Sequence, residues 1–207
     1  LPRKFSSLMG IFDVFKKGKS QDKGEQPKPE GKYMPQSKLP VDERFMKYFI
    51  ENGGKFIYCE NQDEVLDAFD NILLENDWYE SEVCCLSSHF TQKFDGFNLE
   101  FNTNESSKFY LGGCEYLIAN NGALLVTSNQ IKEKKLSELP SNFVILAGTS
   151  QLVEDISEGL RRIKSKSKTG IPSNITTIKH FGESKSDDFM AYGSTTKNLY
   201  LLLLEDL

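Results

Sequence analysis

Short apolar runs that alternate with helical patterns constrain the fold of this chain most strongly. Residues 143–147 and 198–204 are almost uninterrupted apolar segments of strand length. Between such runs, apolar side chains recur at helical spacing, as in Val65, Phe69 and Ile72. Strands without polar alternation are typical of a parallel sheet that is covered on both sides. We therefore predict an α/β domain with a mainly parallel sheet and helices on both faces.

The composition predicts one folded domain and a disordered N-terminal segment. The chain has 207 residues, of which 38% are apolar, enough to build a single core. Residues 1–40 are rich in Lys, Gln, Gly and Pro, so we predict a disordered tail and linker there and the domain at 41–207. The formal net charge of −5, without a basic stripe, argues against nucleic acid as a partner.

The cysteines and the hydropathy exclude several classes of protein. Cys59, Cys84, Cys85 and Cys114 form no C-x-x-C pair, and the chain has two histidines, so we predict neither a metal site nor a cofactor. Each cysteine lies in an apolar run and is expected to be a buried, reduced thiol. No run approaches the roughly 18 apolar residues that span a bilayer, and no signal peptide is visible. We expect a cytoplasmic protein without a transmembrane segment.

Residues 114–127 contain two apolar runs that are separated by Asn120, Asn121 and Gly122. Such a break requires positive φ angles, which Asn and Gly adopt at low cost. The stretch predicts either a strand, a turn and a strand, or a short helix, a turn and a strand. In both cases the polar tip would follow a buried strand, where α/β proteins usually bind ligands. We therefore predict these three residues as ligand contacts.

Two further polar segments are candidates for binding an anion. Thr149 and Ser150 follow the strand at 143–147 and are predicted to open a helix that buries Leu152, Ile156, Leu160 and Ile163. The free N–H groups of a helix start attract anions, although an ordinary helix cap would use the same residues. Hydroxyl and amide groups also cluster on a loop that could hold a phosphate or carboxylate, or form a hydrophilic surface: Ser173, Asn174 and Thr176.

Three segments carry a resemblance to a known family. They are residues 118–123 (Ile-Ala-Asn-Asn-Gly-Ala), residues 170–179, which contain Gly-x-Pro-Ser, and residues 192–194 (Tyr-Gly-Ser), before the last strand. Their order and spacing resemble the LUD-domain family, lactate-utilisation C type, and look closest to stand-alone Bacteroidetes-type members. The resemblance covers about residues 41–207. It implies the fold of the superfamily that includes ribose-5-phosphate isomerase, glucosamine-6-phosphate deaminase and the CoA transferases.

The resemblance also suggests site residues. Tyr192 and Gly193 fall on a family motif that has His where this chain has Tyr192, and Asn120 stands where the family has an acid. These replacements remove groups that move protons near pH 7 and favour ligand binding over catalysis. CoA transferases use a glutamate nucleophile, which makes Glu115, beside Gly112 and Gly113, the candidate catalytic residue. A solvated glutamate at the end of an element is the alternative.

By this resemblance, we expect an accessory protein of bacterial lactate utilisation, in which lactate is oxidised to pyruvate with iron–sulfur oxidoreductase partners. Its contribution would be binding and assembly, with a small anionic ligand, because the chain lacks a cysteine cluster. Two alternatives stay open. One is an enzyme of the superfamily that acts on a sugar phosphate or an acyl-CoA, and the other is a regulatory module that binds a small anion.

Overall fold

The structure is a computed structural model that describes residues 39–167, 170–181 and 197–206. The chain divides into two units, residues 1–38 and residues 39–207. The description below concerns the second unit. The predicted tail therefore falls, up to residue 38, outside the described residues.

A six-stranded sheet forms the centre of the domain. In spatial order its strands are β1 (Lys55–Cys59), β10 (Asn198–Leu204), β7 (Asn142–Gly148), β4 (Phe109–Gly112), β2 (Glu82–Cys85) and β3 (Glu100–Asn102). Every neighbouring pair in it is parallel. This confirms the predicted α/β fold with a mainly parallel sheet.

A second sheet of four strands was not predicted from the sequence. Residues 114–127 form an antiparallel hairpin of β5 (Tyr116–Ile118) and β6 (Ala123–Val126), so the strand–turn–strand interpretation is correct. β8 (Leu152–Val153) pairs with β5, and β9 (Thr176–Ile178) pairs with β6. Both hairpin strands are fully buried, so their sequence resembles that of central strands of the parallel sheet.

The large sheet is covered on both faces, as its apolar strands require. Helices α2 (Gln62–Asn76) and α3 (Ser88–Lys93) pack on one face, where Phe69, Phe109 and Tyr200 belong to one apolar cluster. Helix α1 (Val41–Glu51) and the small sheet cover the other face, where Phe45, Phe143 and Leu201 belong to a second apolar cluster. A helix and the small sheet therefore cover this face of the large sheet together, because the β5–β6 hairpin contributes side chains to the same cluster.

The last two helices are α4 (Ser128–Ile131) and α5 (Ile156–Lys166). The prediction of a helix directly after Ser150 was wrong. α5 begins at Ile156, and the side chain of Asp155 caps it by accepting from the N–H of Glu158. β8 intervenes, because Leu152 and Val153 pair with β5 instead of entering a helix. The predicted buried face was partly wrong as well, since Ile156 is 43% exposed and Leu160 is 40% exposed.

Candidate functional site

The carboxyl ends of the parallel strands meet at one edge of the large sheet, the usual ligand position of open α/β sheets. A cavity of about 240 Å³ lies there, beyond the ends of β2, β4 and β7. Its lining combines backbone at two glycines with polar side chains and a few apolar ones: Ser87, Phe90, Tyr110, Gly112, Gly113, Cys114, Asn129, Gln130, Leu146 and Gln151.

Glu115 lies beside this cavity, on the connection between β4 and β5, and is half-buried. Its Oε1 atom accepts hydrogen bonds from the side-chain amides of Asn129 at 2.5 Å and Gln130 at 3.1 Å. The hydroxyl of Thr127 is 3.1 Å from the same oxygen and 3.2 Å from Oε1 of Gln130, so its single proton is shared between them. One carboxylate oxygen is thus held by uncharged donors.

The main chain of Glu115 is fixed from two sides. Its N–H donates to the carbonyl of Leu125 in β6 at 2.8 Å. The side-chain amide of Gln151 donates to the carbonyls of Cys114 at 2.6 Å and Glu115 at 3.2 Å. The hairpin and the turn after β7 therefore hold the position of the carboxylate together.

A second cavity of about 350 Å³ has Glu115 in its lining. The ammonium group of Lys166 lies 5.4 Å from the centre of the Tyr116 ring, a cation–π contact at the cavity wall. We call the two cavities, which meet at Asn129, the Glu115 cleft. The second cavity is lined by Glu115, Tyr116, Asn129, Ile163, Lys166, Ser167, Gly170 and Pro172.

Burial favours the neutral forms of three titratable groups near the cleft. Desolvation by burial raises the pKa of the Cys114 thiol and of the Cys85 thiol, and it raises the pKa of the Tyr110 hydroxyl. The Tyr110 hydroxyl donates to the carbonyl of Gln130 at 2.9 Å. Glu115 and Lys166 are consequently the charged side chains among the residues that line the two cavities.

The tip of the hairpin, at Asn120, Asn121 and Gly122, makes contacts within the fold instead of lining the cleft. The Oδ1 atom of Asn121 accepts from the N–H of Ala123 at 3.1 Å, and its carbonyl accepts from the Asn52 side chain at 2.7 Å. Gly122 has a φ of +66°, and a Cβ there would collide with the backbone of Phe49 in α1. None of the three lines either described cavity. Their contacts place the tip against the end of α1.

Thr149 and Ser150 lie in a short 3-10 turn, Thr149–Gln151, at the carboxyl end of β7. No long helix starts at this described turn. The helix dipole that was predicted to attract an anion at Thr149 and Ser150 is therefore not formed there. Asp206 contacts both residues, through hydrogen bonds from their hydroxyls and from the N–H of Ser150. The alternative prediction of an ordinary helix cap is also wrong, because Asp155 caps α5.

Ser173 and Asn174 lie beside the cleft and bind the segment after α4. The hydroxyl of Ser173 donates to the carboxylate of Glu133 at 3.1 Å, and the amide of Asn174 donates to the carbonyls of Lys132 and Lys134. Thr176 is the first residue of β9 and pairs with Val126. The predicted Tyr192 and Gly193 lie outside the described residues. Of the predicted residues that the structure describes, Glu115 is the one that lines one of the two cavities described above.

Several cleft residues were missed by the sequence prediction. Thr127 and Gln130 form a capping box at the start of α4, in which Gln130 accepts from the N–H of Thr127. This Thr-x-x-Gln pattern is readable in the sequence and could have indicated an ordered polar turn. Tyr116 and Gln151 gave no comparable signal, because each looks like an ordinary residue of a strand or a turn.

Two general properties follow from the described part of the chain. It contains no group of three or more His, Cys, Asp or Glu side chains that could hold a metal ion. It also contains no helix with the length and apolar character needed to span a bilayer.

These observations define an α/β domain whose parallel sheet carries a polar cleft at its carboxyl edge. The structure is similar to the crystal structure of a DUF162 family protein from Deinococcus radiodurans, with a TM-score of 0.57 and 13% sequence identity. The match covers 79% of this chain and 96% of that chain, and it shows a shared fold. No curated protein matches the chain in sequence. The family pattern of the LUD domain matches residues 43–204, so the chain belongs to the LUD domain family.

Proposed function

We propose that the protein is an accessory component of bacterial lactate oxidation that binds a small polar or anionic ligand in the Glu115 cleft. Family membership, through the LUD domain at residues 43–204, supports the pathway. The three sequence motifs at 118–123, 170–179 and 192–194 support the lactate-utilisation C type. In this proposal, iron–sulfur partner proteins carry the electrons, and the present chain contributes binding and assembly.

One observation supports a binding role for the cleft most strongly. Oε1 of Glu115 is held by the amides of Asn129 and Gln130 and shares the hydroxyl proton of Thr127. A polar group fixed before a ligand arrives loses little conformational entropy when the ligand binds. The neighbouring thiols and the Tyr110 hydroxyl are neutral, so the charged contacts available to a ligand are Glu115 and Lys166.

The cysteines support the assignment of electron transfer to partner proteins. Iron–sulfur clusters are held by thiolates, usually four of them. All four cysteines are buried, and burial raises the thiol pKa of each, with that of Cys59 at about 11. We also propose a cytoplasmic location, in which these thiols stay reduced.

Growth on lactate tests this proposal. Deleting the gene should slow growth on lactate as the sole carbon source and leave growth on glucose unchanged. The wild-type gene and a Glu105→Ala control, which alters an exposed carboxylate outside the cleft, should restore growth on lactate. Glu115→Ala should not restore it, although the protein is present at the same level. A deletion strain that grows normally on lactate would contradict the proposal.

The partners can be tested separately. Affinity purification of the tagged protein from lactate-grown cells should recover iron–sulfur oxidoreductases, identified by mass spectrometry and by their iron content. Purification from glucose-grown cells is the control. Recovery of the same proteins in equal amounts from both cultures would remove the support for a lactate-specific assembly.

A second candidate function is acyl-CoA chemistry at Glu115. Within the described contacts, every hydrogen bond to the carboxylate falls on Oε1, which leaves Oε2 available to react. Oε2 would attack the thioester carbonyl, the C–S bond would break, and CoA would leave as the thiolate, giving a mixed anhydride. The CoA thiolate would then attack the glutamyl carbonyl and release the acyl group as a carboxylate. Glu115 would carry CoA as a thioester.

Mass spectrometry distinguishes this enzyme from the accessory protein. The enzyme predicts that incubation with acetyl-CoA adds CoA to the intact chain, and that borohydride reduces the thioester at Glu115 to an alcohol. Glu115→Gln keeps an acceptor at the Oε1 position but has no nucleophilic carboxylate, so it should gain no adduct. A wild-type chain that stays unmodified while the lactate phenotype is present would favour the accessory role.

A further inference from the structure

Tyr116 is a buried residue whose hydroxyl has no partner in the described part of the chain. It is 2% exposed, and its ring packs with Leu125 and Ile163 in the apolar cluster under α5. The hydroxyl makes no hydrogen bond with any described residue. Within the same ranges, the fully enclosed side-chain polar atoms that lack a partner belong to Arg44, so the Tyr116 hydroxyl keeps contact with solvent. Tyr116 lines the second cavity of the Glu115 cleft, and its hydroxyl is available to a ligand there.

Two more polar groups at this cavity are not used by the fold. The ammonium group of Lys166 contacts the Tyr116 ring at 5.4 Å but forms no ion pair or hydrogen bond with the residues that the structure describes. Arg162 lies 5.9 Å from the same ring and differs, because it is paired with Glu158 at 2.7 Å. Oε2 of Glu115 accepts no hydrogen bond from a described residue, since the donors around it are bound to Oε1.

The three groups define the chemistry of a ligand that fits the cavity. A hydroxyl donor and an ammonium group, from Tyr116 and Lys166, suit an oxyanion such as a carboxylate. The ionised carboxylate of Glu115 can only accept a hydrogen bond, so the ligand must also carry a donor. A hydroxyl on the carbon beside the carboxylate supplies it. A keto oxygen at that position would instead direct its lone pairs at Oε2 and leave this acceptor unpaired.

We propose that this cavity selects a 2-hydroxy acid over the corresponding 2-oxo acid. Tyr116 and Lys166 bind the carboxylate of the ligand, and Oε2 of Glu115 accepts the hydrogen bond of its hydroxyl. An ammonium group could donate in the same way, and the choice of a hydroxyl rests on the proposed role in lactate oxidation. The chain then retains the substrate of the oxidation, lactate, and releases the product, pyruvate.

A comparison of four small acids tests this selectivity. The full chain is titrated with L-lactate, pyruvate, propionate and L-alanine, and the Tyr116 amide resonance in a ¹H–¹⁵N spectrum gives each dissociation constant. The value for L-lactate should be at least about tenfold lower than for pyruvate and propionate, which lack a donor at the second carbon. L-Alanine, which carries an ammonium group there, should bind more weakly than L-lactate.

Glu115→Gln exchanges the acceptor for a donor. The oxygen of the new side chain stays with the amides of Asn129 and Gln130, so its own amide group takes the place of Oε2. This group can donate to the keto oxygen of pyruvate. Affinity for L-lactate should fall and affinity for pyruvate should rise, which removes or reverses the tenfold preference. A purely structural role of Glu115 would change both affinities by the same factor.

Tyr116→Phe and Lys166→Gln test the carboxylate contacts. Each should weaken L-lactate and propionate by the same factor, about fivefold, because the two acids share the carboxylate. Lys164→Gln is the matched control, since it removes an exposed positive charge of α5 outside the cavity and should leave all affinities unchanged. Circular dichroism checks the fold of each variant.

Four results would overturn the inference. They are the absence of a saturable shift with L-lactate, equal affinity for pyruvate, tighter binding of L-alanine, and an unchanged preference in Glu115→Gln. The growth experiment fails or succeeds separately. A growth defect on lactate combined with equal binding of lactate and pyruvate would remove the selectivity and leave the proposed pathway. Normal growth of the deletion strain would remove the pathway, while a measured preference for L-lactate would support the selectivity.

Discussion

The two ends of the β5–β6 hairpin carry polar residues with opposite uses. At the tip, the carbonyl of Asn121 accepts a hydrogen bond from Asn52 at the end of α1, and Gly122 adopts a positive φ that lets the tip approach the backbone of α1. At the open end, Thr127 and the residues after it direct three donors at the carboxylate of Glu115 beside two cavities. The difference shows that the element packed against a polar turn, rather than its residue types, decides whether the turn supports the fold or borders a cavity.

The largest effect is expected at the tip, for Gly122→Val. The φ of +66° disfavours a β-branched residue, and the new side chain would collide with the backbone of α1. We expect a loss of unfolding free energy on the order of 3 kcal/mol or more, measured by urea denaturation. Gly96→Ala is the matched control, because a Cβ there meets nothing within 4 Å. A variant as stable as this control would show that α1 does not hold the tip.

A change in stability of similar size, dependent on pH, is expected from Lys197, which lies at the amino edge of the large sheet, opposite the cleft. Lys197 is buried and donates to the carbonyls of Leu139 and Pro140, both at 2.8 Å. Desolvation lowers the pKa of Lys197 to about 8, so the unfolded chain binds its proton more tightly. The penalty for burying the charge is fully present below pH 8 and is relieved as the pH rises towards the ordinary pKa of 10.5.

The difference in unfolding free energy between the wild type and Lys197→Met should therefore shift in favour of the wild type between pH 7.5 and 9.5. The full shift over the titration is roughly 3 kcal/mol, of which this window covers about half. Subtraction of the variant removes the contribution of the cysteines, whose thiol pKa values are raised by burial in the folded chain and which therefore also change stability with pH. A difference that stays constant across the window would contradict the assignment of a buried ammonium group.

A smaller effect is expected at the open end of the hairpin. Glu115→Ala leaves the amides of Asn129 and Gln130 without their acceptor and should cost about 1–2 kcal/mol of stability. Glu115→Gln keeps an oxygen at the Oε1 position and should cost about 0.5 kcal/mol. Thermal denaturation of the two variants gives the comparison. Equal losses would mean that the hydrogen bonds to Oε1 do not stabilise the cleft.

The smallest effects separate the two asparagines of the tip. Asn121→Ala removes the acceptor for the N–H of Ala123 and should cost about 1 kcal/mol. Asn120 is exposed, and its main-chain N–H, which donates to the carbonyl of Glu154, survives substitution. Asn120→Ala should therefore change stability by less than about 0.5 kcal/mol. A larger loss for Asn120→Ala would reverse the roles that the contacts assign to the two residues.

The sequence predicted the large sheet well because its strands are buried on both faces. Residues 143–147 and 198–204 cannot be placed at a surface, and they pair as β7 and β10 in the middle of the sheet. The small sheet was missed for the same reason: β5 and β6 are equally apolar, so their pattern does not reveal that they form a separate layer. β8 is two residues long, too short for any periodicity.

The candidate site was less predictable, because its contacts join residues far apart in the chain. Glu115 was identified as a candidate, but its partners Asn129 and Gln130 lie 14 and 15 positions further along. The contact of Asp206 with Ser150 spans 56 positions, and nothing in either local sequence indicates it. Local patterns specify turns and caps, whereas the sheet topology decides which turns meet.

The side-chain amide resonances of Asn129 and Gln130 test the central claim most directly, because both groups bind Glu115 at the cleft. In a ¹H–¹⁵N titration with L-lactate, we predict saturable shifts of these two resonances and of the Tyr116 amide, while the Asn52 side chain at the tip stays unchanged. Shifts confined to Asn52 and the tip, or no saturable shift at Asn129 and Gln130, would contradict the assignment of the Glu115 cleft as the ligand site.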